Sequence, residues 1–187
     1  MTMFHSLAAL TLVSFQNQTE RELRLEDVRE RVARYVADAP EASYHFIIGT
    51  DSQGHRGYTK FATGVVIHRL GQGAWACYRQ FSFPRQLTTI REKLMLETIL
   101  SLEVARRFDP AELRGCRNPA VPFGKPGASA SLLAYIDIDA GTVPQVNKTA
   151  ECVQEMVGLV AVTGKYEPRV KPDAYAASSY ANRHTKN

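Results

Sequence analysis

Four acidic residues, Asp51, Glu97, Asp137 and Asp173, stand where a carboxylate is awkward. They fall at the end of an apolar strand, inside an apolar helix stripe, within another apolar strand, and just after Pro172 at a helix start. Burying an acid, even partly, is costly unless something compensates it, and one metal ion shared among several acids is an economical compensation.

Each acid has an ordinary explanation that competes with the metal. Asp51 closes a strand in Gly49-Thr50-Asp51-Ser52-Gln53, and Asp is common where a strand hands over to a loop. Glu97 lies in a stripe formed by Ile90, Leu94, Ser101, Val104, Ala105 and Phe108 at helical steps, where pairing with Lys93 is the alternative to cation binding. Glu92 and Glu103 lie on a different face, which reads as solvated. In Leu132 to Asp139, Tyr135, Asp137 and Asp139 share one side of a strand, and two acids there repel unless solvent separates them or a cation bridges them. Either can be the ligand. Asp137 lies deeper in the apolar run and is favoured, with Asp139 as a substitute or more distant ligand. Asp173 also suits a helix N-terminus, where it would satisfy free amides and the helix dipole.

These acids must be positioned by the elements between them. Leu25, Val28, Val32, Tyr35 and Val36 recur at helical spacing from Leu25 to Ala37 and predict an amphipathic helix. Tyr44 to Asp51, Lys60 to His68 and Ala74 to Phe83 read as strands separated by short turns at Gly54/Gly57 and Gly71/Gly73, hence an antiparallel meander. A helix from about Thr89 to Phe108 stops at Asp109-Pro110, and a Pro/Gly-rich loop spans Arg114 to Ala130. Leu132 to Ile138 is a strand, Lys148 to Thr163 a helix, Tyr166 to Val170 a strand, and Asp173 to about His184 the last helix. The order describes an α/β fold: a five-stranded mixed sheet, three antiparallel strands and then two added by crossovers, flanked by helices. Residues 25–187 form one domain in this reading, and residues 1–24 are an N-terminal segment that packs or frays.

Length and composition agree with one soluble domain: 187 residues, 44% hydrophobic and 22% charged. The net charge of +4 would help a polyanion approach. Three cysteines, Cys77, Cys116 and Cys152, lack zinc-site spacing and form no even set for disulfides, so a reducing cytoplasm is expected. Phe4 to Phe15 is apolar but too short to span a bilayer, and no membrane association is expected.

The segments Ile48-Gly49-Thr50-Asp51-Ser52-Gln53, Leu94 to Ala105, Ile136-Asp137-Ile138 and Lys171-Pro172-Asp173-Ala174-Tyr175-Ala176-Ala177-Ser178-Ser179 resemble the YkuK-like family of bacterial ribonuclease H-like proteins, a family of undefined function. The resemblance runs from about Leu25 to Lys186 and departs at the Arg114 to Ala130 loop. It implies an acid on the first strand, on the helix after the third strand, on the fourth strand and on the last helix, places that Asp51, Glu97, Asp137 and Asp173 fill in order. The chemistry expected of such a set is metal-dependent hydrolysis of phosphodiester bonds in RNA, DNA or a hybrid. Two ions about 4 Å apart would activate a water and stabilise the leaving oxygen. Mg2+ or Mn2+ suits all-oxygen ligands. Arg56, Lys60, Arg79, Arg85, Arg91, Lys171, Arg183 and Lys186 are candidates to hold the phosphate backbone, and His184 to move a proton. A non-catalytic nucleic-acid or protein-binding module is the alternative; an actin-like phosphotransferase would need a second such domain.

Overall fold

The structure, a computed structural model, describes residues 13–115, 131–141, 150–174 and 176–185. Its elements are α1 (Leu25–Ala37), β1 (Tyr44–His55), β2 (Tyr58–Arg69), β3 (Gly73–Phe83), α2 (Ile90–Ala105), the short α3 (Pro110–Gly115), β4 (Leu132–Gly141), α4 (Ala150–Ala161), β5 (Glu167–Lys171) and α5 (Ala176–Thr185). One five-stranded sheet has the order β3-β2-β1-β4-β5. β1 to β3 pair antiparallel, while β4 joins β1, and β5 joins β4, in parallel. This is the mixed sheet expected from the order of elements. No described helix is long and apolar enough to cross a membrane.

Local chemistry explains the ends of the elements. The Arg24 amide donates to Asp27 Oδ2 (2.7 Å) at the start of α1, and Thr89 Oγ1 accepts from the Glu92 amide (3.2 Å) at the start of α2. β1 runs four residues past the expected end at Asp51, because Asp51 to His55 pair with Tyr58 to Ala62 in a hairpin. Its two-residue turn is Arg56-Gly57, with Gly57 at φ +87°, a conformation open to glycine without a Cβ clash. Gly54, expected in the turn, is instead a strand residue. Pro110, expected only to stop a helix, opens α3, a suitable place for a residue without a backbone N–H. Of the Pro/Gly-rich loop, residues 116–130 lie outside the described residues.

Alternation along β1 divides the molecule into two layers. Tyr44, Phe46 and Ile48 point into the main core with Val28, Val32, Val104, Phe108, Ile136, Met156 and Tyr166. Ile47, on the opposite face, packs with Val66, Tyr135 and Tyr180 under α5. Phe15, from the N-terminal segment, is also buried; its backbone pairs with Leu23, while Gln16 pairs with Tyr78.

Helix α2 is buried on more than one side: Leu94, Val104 and Ala105 enter the main core, while Leu96 and Leu100 pack with Phe61 and Leu87. This corrects two expectations. Glu103 is not solvated: its side chain is 9% exposed and pairs with Arg79, which is 3% exposed and therefore not available to a phosphate backbone. The β2–β3 register sets Arg79 opposite Thr63, on the side of the sheet that faces α2. Removing one partner of a buried pair strands the other charge, so Arg79→Met is expected to cost roughly 3–5 kcal/mol in urea denaturation. A loss under 1 kcal/mol, the range of a surface pair, would refute that assignment.

Candidate active site

The site begins with the docking of α2 on β1. Thr50 Oγ1 lies 2.8 Å from Ser101 Oγ, and Ser52 Oγ donates to Glu97 Oε1 at 2.5 Å. Two strand residues two apart are separated by about 6.6 Å, and two helix residues four apart by about 6 Å of rise, so both contacts form together when helix and strand run in opposite directions. That match carries Glu97 to the carboxyl-terminal half of β1. A helical stripe alone does not reveal this, because the two hydroxyl partners come from β1.

Asp51 is half-buried on the α5 side of β1, where Thr185 Oγ1 donates to its Oδ2 (3.0 Å). Parallel pairing sets Gly49 opposite Asp137, the last pair of that ladder, and Asp139 lies two residues further along β4. The three carboxyls of Asp51, Glu97 and Asp139 act on one another through space. Burial pushes Asp51 up from the usual carboxylate range, opposed by the Thr185 hydroxyl and reinforced by Asp139. Burial pushes Glu97 up to about 8, opposed by the Ser52 hydrogen bond and reinforced by Asp51 and Asp139; the Lys93 charge is a smaller opposing influence. The expected Glu97–Lys93 pair is thus not what holds Glu97.

Asp137 takes a different place from the one expected of it. Its side chain is fully buried, and both Nη2 (2.7 Å) and Nε (2.8 Å) of Arg169 meet its Oδ1. Arg169 also lies over the Tyr135 ring, 4.3 Å from its centre. Depth in the apolar run therefore marks a residue held in a buried ion pair, whereas Asp139 is the β4 acid whose charge acts on both Asp51 and Glu97. Asp137→Asn is expected to lower stability by about 3 kcal/mol, the scale of a broken buried pair, with little effect on cation binding. Asp139→Asn should do the reverse, and thermal melts with Mn2+ titration separate the two.

Asp173 is exposed in the turn after β5, its amide bonded to the Val170 carbonyl (2.9 Å), and not on the last helix, which starts at Ala176. It still lies at the carboxyl-terminal end of a strand parallel to β1 and β4, the end where open α/β sheets place their ligands.

The basic candidates divide. Arg56 is exposed on the hairpin turn, Arg183 is exposed on α5, and Lys60 is half-buried on β2. Arg85 pairs with Glu92 (2.8 Å), Arg91 pairs with Glu155 (2.9 Å), and Lys171 pairs with Asp139. Lys186 is outside the described residues. His184 stacks on Tyr78 with ring centres 3.5 Å apart, and burial, with Arg183 and Lys60, keeps its imidazole below the usual range. It packs α5 onto the sheet. Ser52, Thr185 and Lys171 complete the surroundings of the acids; the first two drew no attention in the sequence, where hydroxyl residues at these positions look ordinary.

Among the described residues, no three acidic, histidine or cysteine side chains stand at a spacing that holds a metal ion. The chemistry of the donor set nonetheless fits a hard divalent cation: three carboxyls from three elements repel one another, two are pushed up in pKa, and all donors are oxygen. The sequence model of the family described as Ribonuclease H-like matches residues 27–186. The uncharacterized protein YkuK of Bacillus subtilis (strain 168) is 38% identical over 172 residues, covering 92% of this chain and 96% of that relative. No solved structure matches the chain. With a five-stranded mixed sheet and a match along most of its length, this chain belongs to the ribonuclease H-like family.

Proposed function

We propose that the protein is a divalent-metal-dependent nuclease that hydrolyses phosphodiester bonds in nucleic acid. The observation that supports this reading is the docking of Glu97 on Ser52 at the carboxyl-terminal end of the central strand, where burial, and then the Asp51 and Asp139 charges, push it up to about 8. Carboxyls perturbed by burial together with specific charges gather at functional sites. Asp51, Glu97 and Asp139 would hold Mg2+ or Mn2+, with Asp173 approaching from the end of β5. The bound ions would supply Lewis-acid stabilisation of the phosphate and a water nucleophile active at neutral pH.

The protein's own groups supply position. Thr185 orients Asp51, Ser52 orients Glu97, and the two hydroxyls act from opposite sides of the sheet. Arg56 on the hairpin turn, Lys60 on β2, Arg85 in the connection after β3, Lys171 at the end of β5 and Arg183 on α5 would contact the phosphate backbone, an interaction that weakens as salt rises. Free thiols such as Cys77, buried in the core, suit a reducing cytoplasm.

A second reading, a non-catalytic nucleic-acid or protein-binding module, is favoured by one observation: Lys171 already pairs with Asp139 and partly neutralises the cluster. The deciding experiment is to incubate metal-stripped protein with labelled RNA, DNA and hybrid strands, then add Mg2+ or Mn2+. Cleavage that starts with the metal and stops with chelator supports the nuclease. Retention of a strand without cleavage under every condition supports the module.

A further inference from the structure

We propose that Lys171 is a built-in counter-cation of the acid cluster: its ammonium holds Asp139 while no divalent ion is bound, and is set free at the mouth of the site when one is. The proposal rests on the metal-dependent reading above.

The argument comes from two ion pairs built on the same two strands. β4 and β5 are parallel, with Asp137 opposite Arg169. Two residues further along both strands, past the irregularity between Asp137 and Gly141, Asp139 pairs with Lys171. The first pair is sealed, with side-chain exposures of 14% for Arg169 and 0% for Asp137. The second is open, with 53% for Lys171 and 19% for Asp139. Chemistry follows exposure. Arg169 is a planar guanidinium with two nitrogens on one oxygen and its plane against Tyr135, a contact that cannot be left without stranding a buried carboxylate. Lys171 is a point charge on a flexible stem, already half in water, so its ammonium can leave for solvent, and the buried Asp139 Oδ1 that it gives up is the atom a divalent ion would take over.

Position makes the exchange consequential. Asp139 follows two residues after Asp137, the β4 residue paired with Gly49, and both the Asp139 and the Lys171 charges act on Asp51. A divalent ion held by these acids would lie close to the ammonium and repel it, so one cation replaces the other. The acid set is thereby never without a positive partner, and the metal must compete for its site. Once displaced, Lys171 remains tethered at the end of β5, beside the place where an anionic strand would lie.

Two measurements test this. Mn2+ affinity is read by electron paramagnetic resonance for the wild type, Lys171→Met and Lys171→Arg, and acylation of Lys171 by an amine-reactive ester is followed by mass spectrometry with and without Mn2+. Removing the competing charge should tighten Mn2+ binding about 3- to 10-fold in Lys171→Met, on the scale of an exposed pair. Lys171→Arg should stay within about twofold of wild type on the same scale. In the wild type, Mn2+ should raise the acylation rate of Lys171 and leave that of the distant Lys165 unchanged. Wild-type Mn2+ binding with unchanged or weaker affinity in Lys171→Met, or with no rise in acylation, overturns the counter-cation and leaves the metal site standing. Absence of Mn2+ binding in the wild type overturns both.

Discussion

Asp51→Asn is expected to lower metal-dependent strand cleavage by about 10³-fold while nucleic-acid binding and the fold persist. Asparagine keeps the shape of the side chain, and its carbonyl oxygen can still accept from Thr185 as Asp51 Oδ2 does at 3.0 Å. What disappears is the negative charge on the central strand, shared electrostatically with Glu97 and Asp139. Burial already disfavours the ionised form of Asp51, so the neutral amide should leave stability equal or slightly higher. A loss of activity accompanied by a lower melting temperature would mean that the substitution acted on folding. Groups that act as a unit are strongly non-additive, so adding Glu97→Gln to Asp51→Asn should cost much less than the product of the single losses. Steady-state cleavage by the purified variants, with binding measured in parallel, provides the check. Cleavage undiminished in Asp51→Asn would remove this residue from the chemistry.

The second large effect is on stability against pH in buffer free of divalent ions. Glu97 is raised from an ordinary 4.5 to about 8 in the folded protein. As pH rises through 4.5 the unfolded chain gives up this proton, whereas the folded protein keeps it until about 8. The contribution is therefore fully present below 4.5, shrinks across the interval, and is gone above about 8. Its size is roughly 2–5 kcal/mol, at 1.36 kcal/mol per pKa unit and allowing for partial exposure. Glu92 and Asp109 act with the opposite sign, since Arg85 and Lys165 lower them and their contributions fade in acid. The informative quantity is thus the difference between wild type and Glu97→Gln, which should slope downward from pH 5 to 8 and then level off. Added Mn2+ should restore the wild type at pH 8, with release of a proton near neutrality, and should do little for Glu97→Gln. Denaturant melts across pH read this directly, and a flat difference would show that Glu97 titrates as an ordinary carboxyl.

The elements were largely legible in the chain because their signals are local. Apolar periodicity gave α1 and the strands, Thr89 marked the start of α2, and the brief connections between the first three strands required antiparallel pairing. The hairpin that extends β1 to His55 is not legible locally, because a glycine such as Gly54 suits a turn and a strand ladder alike. The turn is made by the next glycine, and Gly54 sits in the ladder where an added Cβ would come within 3.6 Å of Lys93 Nζ.

The choice between the two β4 acids exposes the limit most clearly. Asp137 and Asp139 share one strand face, and one-dimensional pattern ranks them only by depth. Depth favoured Asp137, yet the residue that makes depth tolerable is Arg169, thirty-two positions away and opposite it only because β5 pairs with β4 in that register. Glu103 teaches the same point: along the chain its helical face reads as solvated, and only the sheet brings Arg79 against it.

By itself, the sequence determined the kinds of group available: carboxyls at strand ends and in a helix stripe, the elements bearing them, and the family to which the chain belongs. Tertiary structure alone decided which carboxyls act on one another's charge and which are neutralised by a base. Periodicity depends on neighbours along the chain, whereas the charge environment of an acid depends on strand register and helix docking, where a shift of two residues separates Asp137, sealed by Arg169, from Asp139, whose charge acts on Asp51.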